Sequence, residues 1–184
     1  MESRNPLMFP ADLLVEEAIE TVPPEWWLVH IKPRQEKKFA EEMLSCKVAH
    51  YLPVTYCKAI SRGRSRYAWL PLFPGYVFLN CDAEGRLAAL KTNRTVAIQP
   101  VTNPALLKRQ LATLADLIAQ GIPLRVEEKV APGREVEVKT GALKGKRGIV
   151  IRRGGQTRLF IAIAEILGGV SLELEIEHHL IEPI

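Results

Sequence analysis

Apolar and polar positions follow one rhythm up to about residue 121 and another from Pro132 onward, so the chain reads as two domains. Trp26-Trp27-Leu28-Val29-His30-Ile31 is aromatic and β-branched without turn residues, which predicts a buried strand. Behind it Pro33 suits the first turn of a helix, and Phe39, Ala40, Met43 and Leu44 recur at helical spacing. That leaves Arg34, Lys37, Lys38 and Glu41 largely on the outer face. A second strand is expected over Val48 to Tyr56, with Pro53 better tolerated near an edge than in the middle of a sheet. Ser61-Arg62-Gly63-Arg64-Ser65-Arg66 reads as a polar hairpin tip. Its three arginines at alternate positions either meet successive phosphates or stay solvated. Tyr67 to Leu70 then returns into Leu70-Pro71-Leu72-Phe73-Pro74-Gly75-Tyr76-Val77-Phe78-Leu79, read as one strand that organises the chain. Val77 and Leu79 point to one face, Tyr76 and Phe78 to the other. A strand apolar on both faces is either a doubly covered core strand or an exposed aromatic docking surface.

The elements that follow are a short helix near Glu84 to Leu90, a loop Thr92-Asn93-Arg94-Thr95 and a strand Val96 to Gln99. Asn103-Pro104 opens the clearest helix, with an N-cap residue and an N1 proline in their preferred places. Leu107, Leu111, Leu114 and Ile118 form its expected buried stripe, and Gly121 with Pro123 ends it. Together, residues 25–121 describe an α+β domain, a mostly antiparallel sheet flanked by helices. Residues 1–24 read as an acidic leader, mobile or loosely docked, with a short amphipathic piece (Leu13, Leu14, Ile19) stopped by Pro23-Pro24. Residues 122–130 read as a charged linker. From residue 131 to 184, short β-rich runs at Arg134–Val138, Gly148–Arg152, Arg158–Ala164 and Val170–Ile176 alternate with glycine pairs. This is hairpin grammar, and a small five-stranded barrel closes it most economically.

Composition narrows the function classes. At 184 residues and 47% apolar the chain is ordinary globular material, and no apolar run reaches membrane-spanning length. Its first residues lack the layout of a signal peptide, so a cytoplasmic location is expected. Cys46, Cys57 and Cys81 are widely spaced, which argues for reduced, packed thiols and against zinc or disulfides. The net charge of +4 is unevenly spread: residues 1–25 carry one base and six acids, residues 26–66 nine bases and three acids. A basic region beside aromatic strands is the electrostatic footprint of a nucleic-acid partner, or else a solvated face. The four histidines show no metal spacing, and there is no nucleophile elbow or phosphate loop. Neither an enzyme nor a cofactor or metal site is expected.

Within the second domain stands Val136-x-Val138-x-x-Gly141-x-x-x-Gly145-x-x-Gly148-x-Val150, which resembles the KOW motif of transcription elongation factors and some ribosomal proteins. Joined to Trp26-Trp27-Leu28-Val29 and Phe73-Pro74-Gly75-Tyr76-Val77 upstream, it is similar to the NusG family over about residues 25 to 184. The resemblance implies a monomeric factor with an N-terminal NGN domain and a KOW barrel of SH3-like form, riding on RNA polymerase during elongation. The N-terminal domain would dock on the clamp helices of the largest subunit and favour the processive state. By motif, His30, Phe73, Pro74, Tyr76 and Phe78 would form the docking surface.

The segment Lys32-Pro33-Arg34-Gln35-Glu36-Lys37-Lys38 resembles RfaH-like paralogues more than housekeeping NusG. The resemblance places Lys32, Arg34, Gln35, Lys37, Lys38 and Arg94 toward the displaced non-template DNA strand, with Arg34 departing from the branch's pattern. For the barrel it implies contact with a small-subunit ribosomal protein or with Rho through Leu143 and Ile166-Leu167-Gly168, residues that otherwise close the barrel core. The rival reading is a ribosome-associated or RNA-binding KOW protein. In the RfaH-like branch the second domain can form a helical hairpin instead, but the glycines and the β-branched runs here favour strands.

Overall fold

The structure, a computed structural model, describes residues 7–15, 25–61, 64–121, 124–127, 133–140, 144–145, 147–153, 156–162, 171–175 and 181–183. Two compact units result, Met1–Ala119 and Gln120–Ile184. The first is built from β1 (Met8–Phe9), β2 (Glu25–Ile31), α1 (Glu36–Ser45), β3 (Ala49–Tyr51), β4 (Val54–Ser61), β5 (Arg64–Pro71), β6 (Tyr76–Cys81), α2 (Ala83–Lys91), β7 (Thr95–Pro100) and α3 (Pro104–Ala119). Five of its strands form an antiparallel sheet in the order β1-β3-β6-β2-β7, while β4 and β5 pair only with each other.

Strand alternation sorts the sheet into two faces. On one, Val29 and Ile31 of β2 and Val77, Leu79 and Cys81 of β6 join Phe39, Ala40 and Met43 of α1 and Ala89 of α2 in one buried cluster. On the other, Leu28, Tyr51 and Phe78 lie side by side in register and are 0–4% exposed, so this face is covered as well. The leucines of α3 are fully buried yet absent from the first cluster. Helix α3 is thus buried through contacts outside that cluster. Its start is as expected: Asn103 accepts the Leu106 amide through Oδ1 at 3.0 Å, with Pro104 next. The stripe itself runs Leu107, Leu111, Leu114 and Leu117, with Ile118 only half-buried, because the fourth position follows a spacing of three.

Other expectations are corrected here. Of the leader, residues 7–15 are not loose: Met8 and Phe9 pair with Tyr51 and His50, and Leu7 and Leu14 are buried. Two buried leucines, with Met8 and Phe9 paired at the sheet edge, offset the cost of ordering so short a segment. The expected strand Val48–Tyr56 is broken at Leu52-Pro53, where proline cannot donate to the ladder. The stretch Leu70–Leu79 is likewise not one strand. It ends β5, turns over Phe73-Pro74-Gly75-Tyr76 and restarts as β6.

The second unit consists of β8 (Arg125–Glu127), β9 (Arg134–Val138), β10 (Arg147–Arg153), β11 (Gln156–Ala162), β12 (Ser171–Glu175) and β13 (Ile181–Pro183). They form an antiparallel sheet in the order β13-β9-β10-β11-β12-β8. Residues 125–127, expected in the linker, thus pair as a strand with Ser171–Glu173. Val136 and Val138 are buried, and Gly145, at φ +79°, donates its amide to Val138 O at 2.7 Å. That positive φ is the reason for glycine in the loop. Leu143 and Ile166-Leu167-Gly168 lie outside the described residues.

Candidate functional site

The site grows from one turn. The Tyr76 amide donates to Phe73 O at 3.1 Å, Pro74 takes the second position, and Gly75 has φ +83° at the third. These are the requirements of a type II turn, which only glycine meets without strain. The turn is fixed from two sides. Ile31 donates its amide to Gly75 O at 2.8 Å, and the Gly75 amide donates to Glu36 Oε1, also at 2.8 Å. Glu36, the first residue of α1, is 6% exposed. In the sequence it counts only as one acid in a basic segment, and nothing there marks it as the support of a turn 39 residues away.

Above this support, His30 and Tyr76 face each other across β2 and β6. Their rings stack at 5.1 Å, and His30 also lies against Gly75, 3.5 Å from where a Cβ would stand. His30 and Pro74 are exposed and Tyr76 is half-exposed. Phe73 and Phe78, by contrast, are 3% and 0% exposed and meet edge to face at 6.1 Å. The five expected surface residues therefore split. Three form the outer layer, and the two phenylalanines lie beneath it as core.

Beside this aromatic end lies the basic segment. Arg34 is exposed at φ +64° in the turn before α1, and Lys38 is exposed on the helix. Lys32 Nζ donates to Asn93 O at 2.7 Å, and Lys37 Nζ to Trp69 O at 2.6 Å. Arg94 differs from these lysines: its guanidinium donates two hydrogen bonds to Glu42 Oε1, at 2.8 and 3.0 Å, and a third to Gln35 Oε1. Hydrogen bonding to Glu42 raises the Arg94 pKa further. Arg94 and Gln35 thus tie the α2–β7 loop to α1, an arrangement strengthened by Lys32 N donating to Arg94 O at 2.8 Å. The open charges of the segment are the ends of Arg34, Lys32, Lys37 and Lys38.

Among the described residues, no group of three or more histidine, cysteine or acidic side chains could hold a metal, and no helix is long and apolar enough to cross a membrane. Of the cysteines, Cys81 is buried and its thiol is pushed up to about 11 by desolvation, with the nearby Asp82 carboxylate adding to the shift. Cys46, expected to be packed, is exposed.

Residues 24–128 match the family model described as NusG, transcription termination factor nusG. Among solved structures, one described as domain interaction in Thermotoga maritima NusG aligns with a TM-score of 0.53 at 18% identity, covering 87% of this chain and 97% of that one. Two conformations of the MjSpt4:Spt5 complex align with TM-scores of 0.31 and 0.30 at 20% and 19% identity. Each covers 86% of this chain, and 97% and 96% of theirs. No curated protein matches the chain.

Proposed function

This chain belongs to the NusG family of transcription factors, and on that premise we propose that it is an elongation factor binding the clamp helices of RNA polymerase through its N-terminal domain. The observation that carries the reading is the stacked, solvent-facing His30–Tyr76 pair beside Pro74, set on a turn that a buried carboxylate holds. An aromatic pair exposed at the end of an otherwise covered sheet face suits the centre of a protein interface. Phe73 and Phe78 contribute from below by fixing its shape.

In the same reading, Lys32, Arg34, Lys37 and Lys38 lie along the displaced non-template strand and neutralise its phosphates. Gln35 and Arg94 hold the loop that presents them. The bound factor bridges the polymerase cleft and shifts pausing, termination or antitermination. The second domain, through Leu143 and Ile166-Leu167-Gly168, recruits a further partner, a small-subunit ribosomal protein or Rho.

Affinity capture with the full-length protein against purified RNA polymerase and purified ribosomes tests the proposal. Capture of polymerase that is lost in Tyr76→Ala supports it. Capture of ribosomes alone would favour a ribosome-associated role.

A further inference from the structure

The hairpin of β4 and β5 carries chemistry that the polymerase-docking face does not use. Tyr56, Tyr67 and Trp69 are 57%, 65% and 44% exposed. Tyr56 pairs with Trp69 in the register, and Tyr67 lies two residues along the same strand as Trp69, so all three share one face. Their rings form a ladder, Tyr67 against Tyr56 at 5.6 Å and Tyr56 against Trp69 at 5.3 Å. Apolar rings left in water at this density are costly unless something covers them.

Charge identifies the kind of cover. Residues 54–71 contain Lys58, Arg62, Arg64 and Arg66 and no acid. Lys58 pairs in register with Tyr67 and so stands at a position on the ring face, whereas Arg66 alternates to the other face, and Lys37 of α1 donates to the Trp69 carbonyl at the base of the ladder. Planar rings beside cations, on a hairpin that itself holds no carboxylate, complement a chain of bases and phosphates. In a duplex the base faces are already stacked on one another; only a single strand can offer them to the rings.

We propose that the β4–β5 hairpin is a single-strand nucleic-acid platform in which bases stack on Tyr56, Tyr67 and Trp69 while Lys58 and Lys37 meet the backbone. It is a surface separate from the His30–Tyr76 face and does not depend on polymerase docking. The strand is either displaced DNA or transcript, since both present the same faces and phosphates.

The test is equilibrium binding of the full-length protein to labelled oligothymidylate, oligouridylate and a mixed-sequence duplex, each about 12 nucleotides long, a length within the usual range of single-strand sites. Tyr67→Ala and Trp69→Ala should each weaken single-strand binding about 5- to 100-fold, with Tyr67→Phe and Trp69→Phe close to wild type. The ring variants should leave the salt slope unchanged, whereas Lys58→Ala should reduce it by about 0.7 and Arg66→Ala, on the other face, by less. Melting curves establish that each variant is folded, as the exposure of these side chains leads one to expect. A preference for the deoxy or the ribo strand identifies the source, and either supports the platform. Folded alanine variants that bind single strands like wild type would overturn it. So would variants that lose polymerase while keeping the oligonucleotides, which would make the hairpin a protein-docking surface.

Discussion

The Glu36 carboxylate accepts the Gly75 amide at 2.8 Å inside the protein, so the first residue of α1 holds the turn that presents Tyr76. Helix and aromatic turn are thereby one mechanical unit, although 39 residues separate them. Glu36→Ala leaves a buried amide unpaired, a loss of about 1–3 kcal/mol. Thermal denaturation should show a clear drop for Glu36→Ala and a smaller one for Glu36→Gln, which keeps an acceptor oxygen. Equal melting temperatures for the alanine variant and wild type would mean that the bond contributes nothing.

Phe78 and Tyr76 are alternate neighbours on one strand face, but they have different environments. Phe78 is fully buried among Leu28, Tyr51 and Phe73, so Phe78→Ala should cost about 3–5 kcal/mol of stability. Urea denaturation measures this directly. A near-neutral Phe78→Ala would contradict its burial among these side chains.

Lys32 and Lys38 present charge to solvent, whereas the charge of Arg94 is engaged by Glu42. In titrations of single-stranded DNA at increasing salt, Lys32→Ala or Lys38→Ala should lower the slope by about 0.7 for each phosphate no longer neutralised. Arg94→Ala should change the slope less, and should lower stability modestly by releasing the α2–β7 loop from α1. A larger slope change for Arg94 than for both lysines would reverse these roles.

His50 is 1% exposed, donates through Nδ1 to Val48 O at 2.9 Å and stacks on Phe9 of β1. Burial lowers its pKa, with the Val48 hydrogen bond opposing the shift. Below about pH 6.5 the unfolded chain takes up a proton that the folded chain resists, so this site's contribution to stability falls with pH. Stability should therefore decline from about pH 6.5 downward, and less steeply in His50→Phe. Identical pH profiles for the two proteins would contradict the assignment.

Much of this was legible in the chain. Asn103-Pro104 marks the start of α3 because capping is local chemistry, and Trp26–Ile31 marks a central strand because its composition admits little else. Short edge strands escaped: β1, β8 and β13 hold two or three residues each, too few for any periodicity to show. The split between Tyr76 and Phe78 was also hidden. Alternation assigns both to one face, and only tertiary packing decides which of them is covered. Glu36 was illegible for a related reason, since its partner is a backbone amide that no side-chain pattern reveals.

The central claim is that the His30–Tyr76 end of the sheet binds RNA polymerase, and the affinity of Tyr76→Ala for a reconstituted elongation complex tests it most directly. With its melting temperature near wild type, this variant should bind on the order of 30-fold more weakly, corresponding to the loss of about 2 kcal/mol expected of an aromatic anchor. A folded Tyr76→Ala protein that binds the elongation complex with wild-type affinity would contradict the account.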